Sequence, residues 1–124
     1  MLRKVLHSKI HRARVTAASV DYRGSITLDA DLLERTGMRV SDAVVVANCR
    51  TGARFETYIF RGEPGSRQVV VNGAAARLVE VGDALIILHF AYVDEEEYKR
   101  HRPTVLIMRE DNTVERVLRY EPGS

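Results

Sequence analysis

Residues 40–46 read VSDAVVV, and residues 81–87 read VGDALII. In each stretch a short polar turn leads into a run of β-branched and other apolar residues, which is typical of a buried strand. Two similar halves can close into one small barrel, and closure leaves no sheet edge exposed. The repeat therefore favours a small β-barrel built from two related halves. Chance similarity between two apolar strands is the alternative explanation.

The rest of the chain is also rich in strand signals. Alternating polarity and β-branched residues predict strands near residues 3–17, 25–29, 42–50, 53–61, 67–72, 83–93 and 104–110. One helix is predicted after Asp29, which is a suitable N-cap. Leu32 and Leu33 supply its apolar contacts, and Gly37 is a good left-handed stop. Thr51-Gly52 lies between two strand-like runs and predicts a hairpin.

The composition is that of one ordinary domain, here residues 1–124, with no linker. An apolar fraction of 45% is enough for a normal core and argues against disorder. The 19 basic and 17 acidic residues leave a net charge of +2, too balanced to indicate nucleic-acid binding. Cys49 is the one cysteine, which excludes an internal disulfide, and we expect it half-buried on a strand. The charged residues 94–103 predict a solvated surface segment.

Nothing in the sequence predicts export or a membrane span. Charges interrupt the N-terminal stretch MLRKVLHSKIHR, so it lacks the apolar core of a signal peptide. The longest later apolar stretch, residues 84–93, contains a histidine and is far shorter than a membrane span. We therefore expect a soluble cytoplasmic protein with no membrane partner.

The dipeptide Gly-Ser occurs at residues 24–25, 65–66 and 123–124, and each copy on its own is typical of a turn or a tail. Gly24-Ser25 differs because it directly precedes a predicted strand. Backbone strain at Gly24 would favour attack of the Ser25 hydroxyl on the preceding carbonyl, an N-to-O acyl shift. The oxyanion that develops needs a donor, for which Thr57 and Asn72 are candidates.

A second candidate cluster comprises Lys9, His11, Arg54 and Tyr58. Strand alternation sets Lys9 and His11 on one face, and it sets Arg54 and Tyr58 on one face with Thr57 on the other. The guanidinium of Arg54 could bind a carboxylate with two parallel hydrogen bonds. Solvated basic side chains and an amphipathic barrel tyrosine are the alternative.

Small residues follow Asn72 in the stretch NGAAA, residues 72–76. They would let a ligand or another backbone approach closely, although a turn that starts a short helix explains them equally well. The histidines His7, His89 and His101 form no recognisable metal-ligand pattern, so no metal site is predicted.

Taken together, these signals resemble the pyruvoyl-dependent aspartate 1-decarboxylases over nearly the whole chain, through about residue 105. The resemblance is carried by Lys9-Ile10-His11-Arg12, Val15-Thr16, Tyr22-Arg23-Gly24-Ser25, Asn48, Thr51-Gly52, Arg54-Phe55, Thr57-Tyr58, Gly65-Ser66-Arg67, residues 71–76 and Val81-Gly82-Asp83. It implies a mainly β fold, the double-psi β-barrel, which is a small six-stranded barrel with short helices. It also implies a homotetramer with active sites between subunits, in which each chain is cleaved into residues 1–24 and 25–124.

The resemblance further implies a role for each site residue. Ser25 would become a covalent pyruvoyl cofactor, which forms a Schiff base with L-aspartate and yields β-alanine and CO2 for pantothenate biosynthesis. Tyr58 would donate the proton to the decarboxylated intermediate. The residues implied in self-processing are Tyr22, Gly24, Ser25, Thr57 and Asn72. The residues implied in binding aspartate are Lys9, His11, Arg54, Thr57, Gly73, Ala74 and Ala75. Whether a maturation factor takes part stays open.

Two other interpretations remain open, and one departure from the family pattern is visible. Ala47 stands where some members carry a large aromatic, which affects the shape of the pocket wall. Residues 26–55 also resemble the swapped-hairpin barrels of AbrB-type transcription factors, which bind DNA. A structural subunit without catalysis is the third interpretation. Both alternatives predict a chain that stays intact.

Overall fold

The computed structural model describes residues 1–121, which form mainly β-strands. The strands are β1 (Arg3–Arg14), β2 (Ala17–Ser19), β3 (Ser25–Asp29), β4 (Ala43–Asn48), β5 (Arg54–Gly62), β6 (Val69–Asn72), β7 (Ala84–Val93), β8 (Thr104–Met108) and β9 (Val114–Arg119). The helices are α1 (Ala30–Thr36), α2 (Glu95–Arg100) and one 3₁₀ helix (Gly73–Leu78). No helix among these residues is long and apolar enough to cross a membrane.

The strands follow the order β2-β6-β3-β5-β4-β7-β1-β8-β9. Because β2 continues the path of β1, the first seven strands of this order close into a ring of six. Between β1 and β2, the N–H of Val15 donates to Asp83 O and that of Thr16 donates to Val69 O. The expected mainly β fold is confirmed, and the ring is consistent with a double-psi β-barrel. The last two strands, β8 and β9, extend the sheet beside β1.

The sequence repeat is also a structural repeat. In the turn 39–42, the N–H of Arg39 donates to Asp42 Oδ2 at 2.9 Å, and Ser41 has a φ of 75°. In the turn 80–83, the N–H of Glu80 donates to Asp83 Oδ2 at 2.9 Å, and Gly82 has a φ of 94°. A left-handed backbone at the third position of both turns favours glycine there, and serine replaces it in the first.

The two turns attach to the barrel in the same way. Ser41 and Asp42 exchange backbone hydrogen bonds with Ile59 on β5, as Gly82 and Asp83 do with Val15 after β1. Strands β4 and β7, which follow the turns, pair with each other in antiparallel fashion. The repeat therefore reflects two related halves, in which β1 corresponds to β5.

The helix α1 forms where the sequence predicts it. Asp29 Oδ1 accepts the N–H of Asp31 at 2.8 Å, and Gly37 ends the helix at a φ of 77° with its N–H on Leu33 O. Leu32 is buried together with Leu33 against the barrel. The fully buried isoleucines and leucines of the core come from β1, β3, β5, β7 and β8; they are Ile10, Ile26, Leu28, Ile59, Leu85, Ile87 and Leu106.

Several local predictions need correction. The predicted strand 3–17 ends at Arg14, and register shifts interrupt it at His7 and at Arg12, whose φ is 69°. The segment after β7 is exposed as predicted, but it forms α2 with a capping box. Cys49 is exposed in the turn after β4. The third Gly-Ser pair, residues 123–124, lies outside the described residues.

Candidate active site

Ser25 is the first residue of β3, and its side chain is fully buried. It lies opposite Asn72, the last residue of β6, in an antiparallel pair. The side-chain amide of Asn72 donates to Ser25 Oγ at 3.4 Å. This pairing brings together two of the residues expected to act in self-processing, and it holds the serine hydroxyl away from solvent.

The peptide before Ser25 packs against the start of the 3₁₀ helix. A Cβ placed on Gly73 would lie 2.5 Å from Gly24 Cα and 2.8 Å from Gly24 N. Gly73 also has a φ of 81°, so both space and backbone geometry require glycine there. Gly24 has no positive φ. The backbone conformation that favours glycine is therefore found at Gly73, while a role of strain at Gly24 in cleavage stays a prediction.

The strand β5 lies on the other side of β3. The parallel register pairs Ile26 with Ile59, and continuing it toward the start of β3 sets Ser25 beside Tyr58 and Gly24 beside Thr57. Thr57 is half-buried on the inner side of β5, and Tyr58 is 39% exposed on the outer side. The predicted separation of these neighbours onto two faces is confirmed.

Aromatic side chains border the site on the outer surface. The rings of Tyr58 and Phe60 meet edge to face with centroids 5.5 Å apart. Phe60 also lines a hollow of about 420 Å³ together with Asp21, Tyr22 and Arg23. Tyr22 is 67% exposed, so it stands at the rim. Sequence reasoning missed Phe60, although strand alternation sets it on the same face as Tyr58.

Arg54 begins β5 and is exposed on the same outer face as Tyr58. Within residues 1–121 its guanidinium makes no ion pair, so its N–H donors are free to bind a carboxylate. Its register partner on β4 is the half-buried Ala47. The small side chain at that position leaves more room beside Arg54 than an aromatic one would.

Lys9 and His11 are not brought to this site within one chain. They lie on β1, which the ring separates from β5 by two strands in either direction. Both are half-buried and alternate with the fully buried Ser8 and Ile10, so they face outward from the barrel. The two predicted sets of binding residues therefore stand on opposite sides of the ring.

The imidazole of His11 has a buried Nδ1 with no hydrogen-bond partner among the described residues. Burial lowers the pKa of His11, and the nearby charges of Lys9 and Arg12 lower it further. A buried polar atom without a partner is costly in a finished structure. Among residues 1–121 the buried Nε of Arg14, also on β1, lacks a partner as well, so both of these missing contacts lie on β1.

The small residues after Asn72 form the 3₁₀ helix, which agrees with the short-helix alternative for NGAAA. Ala74 is exposed, and Ala75 is half-buried against the core. Both follow directly on Gly73, which touches Gly24. Their backbone therefore lies at the edge of the site, where a ligand could approach without meeting a large side chain.

The remaining histidines gather where β1 and β7 meet the turn 39–42. His7 Nδ1 and His89 Nδ1 are 3.1 Å apart, and His89 Nε2 is 3.2 Å from Asp42 Oδ2. The ring centroids of His7 and His101 are 6.4 Å apart. Burial lowers the pKa of His7 and of His89. Among residues 1–121 no group of acidic, histidine and cysteine side chains is arranged to hold a metal ion.

Known proteins are similar in sequence to this chain over nearly its full length. The model of the family described as aspartate decarboxylase matches residues 1–115. The aspartate 1-decarboxylase of Bacillus licheniformis is 50% identical over 123 residues, which cover 99% of this chain and 97% of that protein. The aspartate 1-decarboxylase of Staphylococcus aureus strain Newman is 50% identical over 114 residues, which cover 92% of this chain and 90% of that protein. Nothing in these matches supports the AbrB-type alternative. The chain belongs to the aspartate decarboxylase family.

Proposed function

We propose that this chain is an aspartate 1-decarboxylase that converts L-aspartate to β-alanine and CO2, a step of pantothenate biosynthesis. Its carbonyl cofactor is a pyruvoyl group that the chain makes from its own Ser25. The observation that carries the proposal is the buried Ser25 hydroxyl, which Asn72 holds while Gly73 packs against the preceding Gly24. The family match supports the same activity.

The first role of the site is self-cleavage. Ser25 Oγ attacks the carbonyl carbon of Gly24, the C–N bond to Ser25 breaks, and an ester forms. Elimination across the Ser25 Cα–Cβ bond then releases the Gly24 carboxylate. One water replaces the nitrogen, which leaves as ammonia, and a pyruvoyl group remains on residue 25. Thr57, beside Gly24 in the continued strand register, and the amide of Asn72 can stabilise the oxyanion of the first step.

The residues around position 25 fit the group that this cleavage would leave. The Ser25 side chain is shielded from solvent, and the missing side chain of Gly73 lets the 3₁₀ helix lie so close to Gly24 that any Cβ would clash. When formed, the pyruvoyl group supplies a carbonyl that can accept the electron pair left behind by CO2. General acid–base help alone is worth about 10²–10⁴-fold, less than the 10⁶-fold or more of a typical enzyme.

The second role of the site is to bind aspartate and return a proton. Arg54 presents a free guanidinium that can hold the carboxylate which is not lost. The backbone at Gly73, Ala74 and Ala75 provides further contacts on the opposite side of Ser25. Tyr58, beside Ser25 in the continued register, can donate the proton that replaces CO2.

Lys9 and His11 complete the pocket from a neighbouring copy of the chain in a homotetramer. The position of β1 across the ring from β5 supports this assembly, because one chain cannot bring the two strands together. The partnerless buried Nδ1 of His11 supports it as well, since a second chain would provide the missing contact. In the assembled enzyme, two cations then face the two carboxylates of the substrate.

Intact-mass measurement of the purified protein tests this proposal. We expect two chains that meet between Gly24 and Ser25, with no free N-terminal amine on the larger one, and release of β-alanine from aspartate. Ser25→Ala should stay one chain because no hydroxyl remains to attack. Ser66→Ala is the matched control, since Ser66 also follows a glycine but lies in an exposed loop. A wild type that remains intact yet decarboxylates aspartate would contradict the mechanism.

A further inference from the structure

A partly buried polar cluster holds the turn 80–83, and we call its residues Asn48, Arg50 and Asp83 the Asp83 clamp. Arg50 Nε donates to Asp83 Oδ1 at 2.6 Å, and Arg50 Nη2 donates to Asp83 Oδ2 at 3.0 Å. The amide of Asn48 donates to the same Oδ2 at 2.8 Å. The Asp83 side chain is only 6% exposed. Such a carboxylate is costly to bury unless several donors satisfy it, as they do here.

The Asp83 clamp extends to the end of the 3₁₀ helix. Asn48 Nδ2 also donates to the carbonyl of Leu78, the last residue of that helix, at 3.0 Å. The N–H of Glu80, two residues further on, donates to Asp83 Oδ2. Leu78 is itself 41% exposed, so at this end the apolar packing comes from Ala76 and from Val79, the residue after the helix. The polar contacts of Asn48 and Asp83 therefore fix the helix end together with the packing of Val79.

The other end of the same helix forms one wall of the candidate active site. Asn72 precedes it and donates to Ser25 Oγ, and Gly73 begins it in contact with Gly24. A 3₁₀ helix has poorer hydrogen-bond geometry than an α-helix and is seldom stable by itself. The alanines at residues 75 and 76 pack against the core, but their side chains are small and bury little apolar surface. A shift at Leu78 can therefore pass along the helix to the Gly24–Ser25 peptide.

The equivalent turn in the first half lacks such a clamp. Asp42 accepts the N–H of Arg39, but its side-chain partner is the imidazole of His89 rather than an arginine fork. The helix before that turn, α1, buries Leu32 and Leu33 in the core. Two buried leucines thus hold α1, whereas the 3₁₀ helix has only small buried side chains and gains polar contacts at its end.

We propose that Asn48, Arg50 and Asp83 are positioning residues that hold the 3₁₀ helix, and through it Asn72 and Gly73, in place against Gly24 and Ser25. This role rests on the function proposed above for the same site. Displacement of a reacting group by about 1 Å can cost on the order of 100-fold in rate. Partial loss of the clamp should therefore slow cleavage and weaken aspartate binding even where the barrel remains folded.

The test compares Asp83→Asn with Asp42→Asn, the same change at the equivalent turn. Intact mass over time gives the rate of cleavage for each variant and for the wild type. We expect Asp83→Asn to be cleaved roughly tenfold more slowly. We expect Asp42→Asn to be cleaved at the wild-type rate, although its thermal midpoint also falls. A wild type that stays one chain would overturn the proposed cleavage and the positioning role with it.

Arg50→Met provides a variant that should fold, because Arg50 is half-exposed and methionine keeps the apolar part of its side chain. Arg109→Met is its matched control, since Arg109 is exposed and bonds within the turn after β8 rather than to Asp83. Once each protein is fully cleaved, we expect Arg50→Met to raise KM for aspartate about threefold or more with a smaller change in kcat. A loss of thermal stability alone would not change KM in an assay run well below the midpoint.

Two results would overturn the positioning role. One is an Asp83→Asn protein that cleaves as fast as the wild type, together with an Arg50→Met enzyme whose KM is unchanged. The other is equal slowing in Asp83→Asn and Asp42→Asn, because the effect would then follow turn stability in either half. Slower cleavage confined to Asp83→Asn, with a raised KM in Arg50→Met, supports it.

Discussion

The two halves of the barrel share a plan but differ in the segment that follows the short strand. In the first half, β3 leads into α1, which is held by buried leucines. In the second half, β6 leads into a 3₁₀ helix that begins with glycine and alanines. Large side chains hold a helix by packing, whereas small ones allow its backbone close to a neighbour. One half therefore stabilises the barrel, and the other brings backbone against Gly24.

The long strands of the two halves differ in what surrounds them. Both β1 and β5 present basic residues on the outer face, Lys9 on one and Arg54 on the other. The outer face of β5 lies next to Ser25, with Tyr58 and Phe60 beside it. The outer face of β1 lies across the ring. The two halves thus contain two equivalent strands, of which only β5 adjoins the candidate nucleophile in the same chain.

The largest effect should come from Gly73→Ala, which removes the special contact of the second half. We expect no detectable cleavage by intact mass, because the new Cβ would overlap Gly24 Cα. Gly52→Ala is the control, since Gly52 has a nearly equal φ of 78° but no atom within 4 Å of the added Cβ. Both variants carry the backbone penalty of about 1–2 kcal/mol. Normal cleavage of Gly73→Ala would show that the close contact of Gly73 with Gly24 is not needed for cleavage.

The next effect concerns the two faces of β5. Tyr58→Phe should still cleave and still trap aspartate on the large fragment with borohydride, but turnover should fall by about 10²–10⁴-fold because the proton donor is gone. Thr57→Val keeps the side-chain shape and should block or greatly slow cleavage. Intact mass and β-alanine release separate these roles. Reversed results, with Tyr58→Phe uncleaved and Thr57→Val mature, would exchange our assignments.

A smaller effect should follow from Arg54→Lys, which tests whether the guanidinium on the outer face of β5 binds the substrate carboxylate. The charge remains but the two-pronged geometry is lost, so we expect turnover to fall by roughly tenfold while cleavage stays complete. Arg116→Lys, at an exposed position on β9, is the control for the same chemical change. Aspartate turnover equal to that of the wild type would exclude Arg54 from the binding site.

The smallest effect concerns the turn 39–42, where Asp42 has His89 as its side-chain partner, whereas Asp83 in the equivalent turn has Arg50. Burial keeps the pKa of His7 and of His89 below the ordinary 6.5, although Asp42 opposes this shift. The unfolded chain therefore binds more protons as the pH falls through 6.5, and the free energy of unfolding decreases. Urea midpoints at pH 7.5 and 5.0 should show a smaller decrease for His89→Gln than for the wild type. Equal decreases in the two proteins would exclude His89 as a source of the loss of stability at low pH.

Much of the fold could be predicted from local patterns. The strands β3 to β7 and the helix α1 have periodic apolar residues with clear caps and turns at their ends. The repeated turn was visible because both copies lead into apolar strands. Strand β9 was missed because most of its residues are exposed and several are charged, so its alternation is weak. The break between β1 and β2 could not be predicted, because Val15 and Thr16 there bond to Asp83 and Val69, which are distant in sequence.

The sequence by itself determined the family, the repeat and the residue types of the site, because these are properties of residue order and chemistry. It also set Thr57 and Tyr58 on opposite faces, since strand alternation is a local rule. Only the tertiary structure decided which residues meet. The pairing of Ser25 with Asn72, the glycine requirement at Gly73 and the Asp83 clamp all join segments distant in sequence. Such contacts depend on strand register and barrel closure, which arise from the packing of the whole chain.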